Sequence, residues 1–287
     1  METEKEDRKT DRIEKEENKR TRKDKNEGIR KDKNESIEKE KKNGAVNRSV
    51  TAVILMAGTG KRMHTEEKKQ FLPLCGKPLF CASVERFISW LRCEEVLLVV
   101  GAEDKETVDG FVEQEGWRKE KKISIVEGGA ERFDSVAAAL HFIEEKGKPE
   151  NYVFIHDAAR PILPQKAIDV MLSVAHNKGN ACLAIPCYET VLYTDDQLAG
   201  TKQLDRNKIM RIQTPQAYCY KMLCSLYERA EEEDLHNFVY ADLVAIYYGK
   251  TVFFSKGFVN NIKITRKEDI TLCRSLMTFT DDELFNI

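Results

Sequence analysis

The segment Met56-Ala57-Gly58-Thr59-Gly60-Lys61-Arg62-Met63 joins two glycines to two cations directly after an apolar run. Glycines let backbone N–H groups close on a phosphate, and Lys61 and Arg62 add positive charge. It is not a Walker A sequence, because Leu55 stands where the first glycine belongs and Arg62 replaces the Ser or Thr. Nor is it G-x-G-x-x-G, since Met63 fills the third glycine position. A tight strand-to-helix turn would have the same appearance in isolation, so the reading depends on what else the chain offers. Seven residues beyond Arg62, Lys69 adds a cation in Lys68-Lys69-Gln70-Phe71-Leu72-Pro73-Leu74, although Lys68 and Lys69 also read as a solvated surface pair. His156-Asp157-Ala158-Ala159-Arg160-Pro161 sets a carboxylate and a guanidinium behind another apolar run. A carboxylate there can hold Mg²⁺ against substrate phosphates; a local ion pair or a helix cap is the plainer alternative. His156 has no second ligand-type residue at metal spacing and reads as structural. In Asn260-Asn261-Ile262-Lys263-Ile264-Thr265, Lys263 reads as projecting from a short β-like piece between buried Ile262 and Ile264, or as a surface lysine on an edge strand.

These segments need a frame that brings them to one place. From residue 51 onward, short apolar runs alternate with stretches of helical period, which predicts an α/β fold: a mostly parallel sheet with helices on both faces. The predicted strands are Thr51 to Ala57, Glu95 to Gly101, Lys122 to Glu127, Tyr152 to His156, Ala181 to Pro186 and Thr251 to Ser255. Between them run predicted helices over Pro78 to Leu91, Lys105 to Glu115, Ser135 to Lys146, Gln165 to Asn177, Lys221 to Glu232 and Arg266 to Leu276. In such sheets ligands bind beyond the carboxyl ends of the strands, where the glycine loop, Asp157 and their neighbours fall. Residues 188–218 break the alternation and read as an excursion from the sheet, a β-arm around the polar turn near Asp195, Asp196 and Gly200.

Composition divides the 287 residues in two. Residues 1–48 are almost entirely Lys, Glu, Arg, Asp and Asn, too poor in apolar side chains to offset the entropy of ordering, and are expected to form a disordered charged tail. Residues 49–287 are expected to form one catalytic domain. A net charge of −2 gives no reason to expect nucleic acid or a membrane surface as partner. The tail has neither the apolar core of a secretory signal nor the acid-poor character of a transit peptide. No later apolar run approaches a membrane span, so a soluble, cytoplasmic protein is expected. Eight cysteines without a C-x-x-C pair read as reduced, mostly buried small hydrophobes.

The separated motifs agree with one pattern. Besides the four already quoted, they comprise Gly128-Gly129-Ala130-Glu131-Arg132 with Ser135-Val136, Leu204-Asp205-Arg206 and Gln213-Thr214-Pro215-Gln216. From about Ala52 to Cys273 the chain resembles the 2-C-methyl-D-erythritol 4-phosphate cytidylyltransferases, which are related to the ribitol 5-phosphate cytidylyltransferases. The resemblance implies a three-layer Rossmann-like nucleotidyltransferase fold and transfer of CMP from CTP to a sugar-alcohol phosphate, releasing pyrophosphate, with Mg²⁺ or another divalent cation. It implies that Arg62, Lys69 and Lys263 stabilise the pentacovalent phosphorus, and that Gly58, Thr59, Gly60 and Lys61 cradle the triphosphate. Ala57, Gly129, Ser135 and Ala158 match other CTP-contacting positions. Asp157 falls at the metal and acceptor side; Arg160, Thr190 and Thr214 match acceptor-contacting positions. A homodimer through the β-arm is implied, with Arg206 reaching the partner's site. The departures cluster on the acceptor side: Lys68 replaces a proline, Glu189-Thr190-Val191-Leu192 replaces Asp-Thr-x-Lys, and Ala130 replaces an acid. Phe238-Val239-Tyr240-Ala241-Asp242 stands where Thr-Asp-Asp/Glu-Ala-Ser is usual. A non-catalytic nucleotide-binding scaffold is the competing reading.

Overall fold

A computed structural model of the chain describes residues 49–58, 68–147 and 152–286. The tail expected over 1–48, and Thr59, Gly60, Lys61, Arg62 and Met63 of the glycine loop, lie outside the described residues.

The described chain runs β1 (Val50–Leu55), a 3₁₀ turn (Lys69–Phe71), β2 (Pro73–Leu74), β3 (Lys77–Pro78), α1 (Leu79–Ile88) and β4 (Cys93–Val100). It continues with α2 (Lys105–Gln114), β5 (Lys122–Glu127), α3 (Arg132–Glu145), β6 (Tyr152–Asp157), α4 (Gln165–Lys178) and β7 (Asn180–Pro186). Then follow β8 (Val191–Tyr193), β9 (Lys202–Leu204), β10 (Met210–Cys219), α5 (Tyr220–Glu232), α6 (Ala241–Tyr247), β11 (Phe254–Lys256), α7 (Lys267–Leu276) and α8 (Asp281–Asn286).

Seven strands form one sheet in the order β11-β7-β10-β6-β1-β4-β5. All neighbours are parallel except β10, which runs antiparallel to both β6 and β7. The strands read as continuous apolar runs because both faces are covered. On β4, Val96, Leu98 and Val100 enter one core while Leu97 and Val99 enter the other, and on β6 Tyr152 and Phe154 oppose Val153 and Ile155. The first core is completed by α1, α2 and α4 through residues such as Phe80, Phe87, Val108 and Met171. The second is completed by α3, α5 and α6 through Phe133, Leu140, Leu223, Tyr227 and Val244. The architecture is thus three-layered, α/β/α, around a mostly parallel mixed sheet.

Five predicted strands and all six predicted helices have observed counterparts whose ends differ by at most a few residues. The last strand is displaced, from Thr251 to Ser255 in expectation to Phe254–Lys256. The arm is shorter than residues 188–218. Only the β8–β9 hairpin leaves the sheet, whereas β10 returns to its interior with Gln213, Thr214, Gln216 and Ala217 buried. Its edge-like polar sequence concealed a central strand, because those side chains are satisfied by tertiary hydrogen bonds rather than by apolar packing. The short helices α6 and α8 were not anticipated. In α6 the apolar residues Leu243, Ile246 and Tyr247 face outward alongside buried Val244 and Ala245, so no one-sided period exists to read.

All eight cysteines are free thiols, six buried, Cys219 half-buried and Cys75 exposed. Burial pushes the thiols of Cys81, Cys93 and Cys273 up to about 12, so they behave as protonated small hydrophobes. No helix among the described residues is long and apolar enough to cross a membrane.

Candidate active site

Parallel pairing lines up the carboxyl ends of β5, β4, β1 and β6, and the chain leaves them through a second set of backbone bonds. Met56 N–H donates to Val99 O at 2.9 Å, Ala158 N–H to Leu55 O at 3.1 Å and Gly128 N–H to Val100 O at 2.8 Å. The loops therefore start from fixed positions along one edge of the sheet. They enclose a cleft of about 440 Å³.

Ala57, Gly58, Gly129, Ser135 and Ala158 line this cleft, as do Lys69, Asp157 and Lys263. Eight residues singled out in the sequence, from five separate stretches of chain, thus share one cavity. The close approach at its floor explains the double glycine: a Cβ on Gly128 would come within 2.7 Å of the Ala57 Cβ and 2.8 Å of Ser135 Oγ, and one on Gly129 would overlap the Asp134 side chain. Behind the turn, Glu131 N–H donates to Asp134 Oδ2 at 3.0 Å and Ser135 Oγ donates to Glu131 O at 3.1 Å, fixing the first turn of α3. Lys69 is brought in by the 3₁₀ turn, where the buried Gln70 donates through Nε2 to Met56 O at 2.9 Å. Lys68 is directed elsewhere, pairing with Glu103 and, at 2.8 Å, with Asp104. It ties the turn to the chain beyond β4 and is not a second site cation.

Asp157 is the electrostatic centre. Its Oδ1 accepts from Arg132 Nη2 at 2.9 Å, its Oδ2 from Lys263 Nζ at 2.8 Å, and Arg160 Nε lies 3.9 Å from Oδ2. Burial alone would favour the neutral acid, but the charges of Arg132, Lys263 and Arg160 outweigh it and hold the carboxyl well below the usual carboxylate range. One carboxylate faces three cations, so the cluster carries excess positive charge and is built for an anion. His156, next to it, is fully buried and pushed down to about 4 by burial. Its Nε2 lies 3.0 Å from Arg160 O and its Nδ1 3.2 Å from Thr214 Oγ1, a neutral structural role.

Lys263 does not stand on a strand. Residues 261–265 are irregular, with Ile264 buried and Ile262 half-buried. The loop is instead held by side-chain bonds: Asn261 Nδ2 donates to Thr214 O at 2.9 Å, Gln213 Nε2 to Phe258 O at 2.9 Å, Arg160 Nη1 to Asn261 O at 2.7 Å, and Ile264 N–H to Ala159 O at 2.8 Å. The register of β10 against β7 shifts between Ile212 and Gln216, leaving Gln213 and Thr214 outside that ladder to form these links.

The acceptor-side residues separate. Thr214 is fully buried and its Oγ1 accepts from Asp157 N–H at 3.1 Å, so it supports Asp157 and offers no surface to a ligand. Arg160 is buried, with Nη1 donating to Asn261 O and Nε without a hydrogen-bond partner among the described residues. Thr190 and Arg206 are exposed on the arm and do not line the cleft of this chain; Arg206 Nη1 donates to Tyr188 O at 2.9 Å. Arg132, Glu131 and Gln70 line the cleft and carried no role in the sequence reading. Arg132 was legible as a charged residue inside a motif, but its pairing with Asp157 links positions 25 residues apart and has no sequence signal.

Among the described residues the cleft's donor set for a divalent cation is incomplete. Asp157 is the one carboxylate among the described residues whose geometry was expected to serve, and cations already occupy both its oxygens. Nor do the described residues of the cleft include an activated protein nucleophile: Ser135 Oγ is bonded to a backbone carbonyl and Asp157 is held in its ionised form. What it can do is bind phosphates and stabilise charge that grows on them.

Residues 50–279 match the sequence profile of 2-C-methyl-D-erythritol 4-phosphate cytidylyltransferase. An enzyme of that name from Lachnospira eligens is 36% identical over 225 residues, covering 77% of this chain and 96% of its own. A ribitol-5-phosphate cytidylyltransferase from Lacticaseibacillus paracasei is 28% identical over 230 residues, 79% of this chain and 97% of its own. Among solved structures, the 2-C-methyl-D-erythritol 4-phosphate cytidylyltransferase of Francisella tularensis superposes with a TM-score of 0.67 at 25% identity, over 79% of this chain and 99% of that one. With the strand-end cleft and its cations in place, the chain belongs to the 2-C-methyl-D-erythritol 4-phosphate cytidylyltransferase family.

Proposed function

We propose that the chain transfers CMP from CTP to the phosphate of 2-C-methyl-D-erythritol 4-phosphate, giving 4-CDP-2-C-methyl-D-erythritol and pyrophosphate. The observation that carries this reading is the convergence of Lys69, Lys263 and Asp157 with the Gly129–Ser135 turn on one cleft. A phosphate oxygen of the acceptor attacks the α-phosphorus of CTP, the bond to the bridging oxygen breaks, and pyrophosphate leaves. The nucleophile is supplied by the acceptor, so the protein's task is positioning and charge stabilisation. Backbone N–H groups around Ala57, Gly58 and Gly129 receive the nucleotide, and Ser135 and Ala158 bound its place. Lys69 and Lys263 meet the phosphoryl oxygens as charge builds, with Arg62 as the third cation of this reading. Asp157 holds Lys263 in place until a phosphate takes over as its partner.

Mg²⁺ belongs to this proposal as a companion of the triphosphate, whose oxygens and bound water suit a small hard cation. Chelation with EDTA should then stop turnover without moving the melting temperature of the nucleotide-free protein. A homodimer through the β8–β9 arm and a cytoplasmic location complete the reading; the arm's exposed Tyr188, Leu192 and Leu198 support the first.

Ribitol 5-phosphate is the second acceptor to weigh, because the residues that distinguish this chain lie at Phe238–Asp242 while the nucleotide floor keeps its glycines and Ser135. The deciding assay incubates the protein with CTP, Mg²⁺ and either polyol phosphate and follows pyrophosphate release. Release with the methylerythritol substrate is expected. Release with ribitol 5-phosphate alone moves the assignment to the second acceptor, and release with neither leaves a nucleotide-binding scaffold.

A further inference from the structure

Arg132 lines two cavities at once. One is the cleft described above; the other, about 620 Å³, is bounded by Glu131, Arg132 and the loop from Asp234 to Val239. Its guanidinium is held on one edge and one face. Nη2 donates to Asp157 Oδ1 at 2.9 Å, and the carbon of the group lies 4.6 Å from the centroid of the Tyr240 ring, a cation–π distance. Tyr240 is itself anchored by the helix that starts beside it, since the buried Asp242 of α6 accepts from Tyr218 Oη and Gln216 Nε2. The other edge is unused: Nη1 is buried and has no hydrogen-bond partner among the described residues.

A buried guanidinium N–H without an acceptor is costly, and a phosphate oxygen is the acceptor that best suits it. Lys263 and Arg132 hold opposite oxygens of the same carboxylate, so a phosphate reaching Nη1 also lies beside the lysine assigned to the reacting centre. Beyond Arg132 the second cavity has a polar lip, with Glu131, Asp234, His236 and Asn237, of the kind that hydroxyl groups can bond. We infer that Arg132 Nη1 binds the phosphate of the acceptor and that the acceptor's polyol chain extends into the cavity lined by residues 234–239. The inference rests on the proposed cytidylyl transfer and adds to it the place and orientation of the second substrate. A phosphate of CTP offers the same chemistry to Nη1, and the kinetics separate the two sources.

The test is steady-state pyrophosphate release by the full chain, varying each substrate in turn, with melting temperatures measured in parallel. Arg132→Lys keeps the charge and the link to Asp157 but removes the second donor edge. It should raise the acceptor KM by about ten- to a hundredfold, as expected for loss of a charge-assisted hydrogen bond, and leave the CTP KM within about twofold. Asn237→Ala, at an exposed residue of the lip, should leave the melting temperature unchanged and raise the acceptor KM alone by a few fold. A rise confined to the CTP KM in Arg132→Lys would assign Nη1 to the nucleotide and overturn the inference. So would a fall in kcat with both KM values unchanged, which would leave Arg132 as a mere support for Asp157. If the wild-type protein releases no pyrophosphate with either acceptor, it is the cytidylyl-transfer reading that fails, a result distinguishable from both.

Discussion

The two sides of the cleft are built differently. On the side proposed for the nucleotide the floor consists of backbone leaving parallel strands, with Gly128 and Gly129 where no Cβ fits; on the side proposed for the acceptor, charged side chains are held by other side chains contributed from β6, α3, β10 and the loop around Lys263. A backbone floor tolerates little change, because its course is fixed by the bonds of Met56, Gly128 and Ala158 N–H to the sheet and by the absence of room for a Cβ at Gly128 and Gly129. A side-chain wall can be rebuilt one residue at a time, and this chain departs from the family pattern mainly away from the floor, at Glu189–Leu192 on the arm and at Phe238–Asp242 beside the second cavity, with Ala130 the departure on the floor itself. On the proposed function, nucleotide recognition and acceptor choice are therefore separable.

Mutations can break that comparison. The largest effect is expected where the two sides meet: Lys263→Ala or Lys69→Ala should lower kcat about a hundred- to a thousandfold with little change in melting temperature, because each cation acts on charge that peaks in the transition state. Near-normal turnover in both would remove the shared reacting centre. Asp157→Asn should cost about 3–5 kcal/mol in urea unfolding, since it strips the counter-charge from Arg132, Lys263 and Arg160 in a buried cluster. Gly129→Ala should raise the CTP KM and destabilise by about 1–3 kcal/mol, its Cβ having no room beside Asp134. If it shifted the acceptor KM instead, the division of the cleft would be wrong.

Acidification probes the support beneath both sides. His156 is held near 4 in the fold against 6.5 when unfolded, chiefly by burial, so the unfolded chain binds the proton first. Its stabilising contribution is complete above about 6.5 and is lost as pH falls from 6.5 to 4, levelling off below. In His156→Gln the dependence of unfolding free energy on pH over that window should be shallower than in the wild type, as read from urea titrations at a series of pH values. The smallest effect is expected from removing residues 1–46, which should leave kcat and melting temperature unchanged, because the cleft is lined by residues between Leu55 and Thr265.

The alternation of apolar runs and helical periods in the sequence determined the three-layer fold, since burial on both faces of a sheet imposes that pattern locally. That Gly58 and Asp157 lie at strand ends was legible as well, because each directly follows an apolar run; Lys69 and Lys263 were legible only as cations within motifs, and the fold brought them to the same cleft. Tertiary structure alone decided three further matters. It placed β10 inside the sheet, where Gln213 and Thr214 are satisfied by distant partners rather than by apolar neighbours. It gave Thr214 and Arg160, which match acceptor-contacting positions, bonds that support Asp157 and the Lys263 loop. And it brought Arg132 to Asp157, leaving one edge of a buried guanidinium unused. Local pattern records which faces are buried; the partners of a buried charge come from distant parts of the chain, and only the folded arrangement selects them.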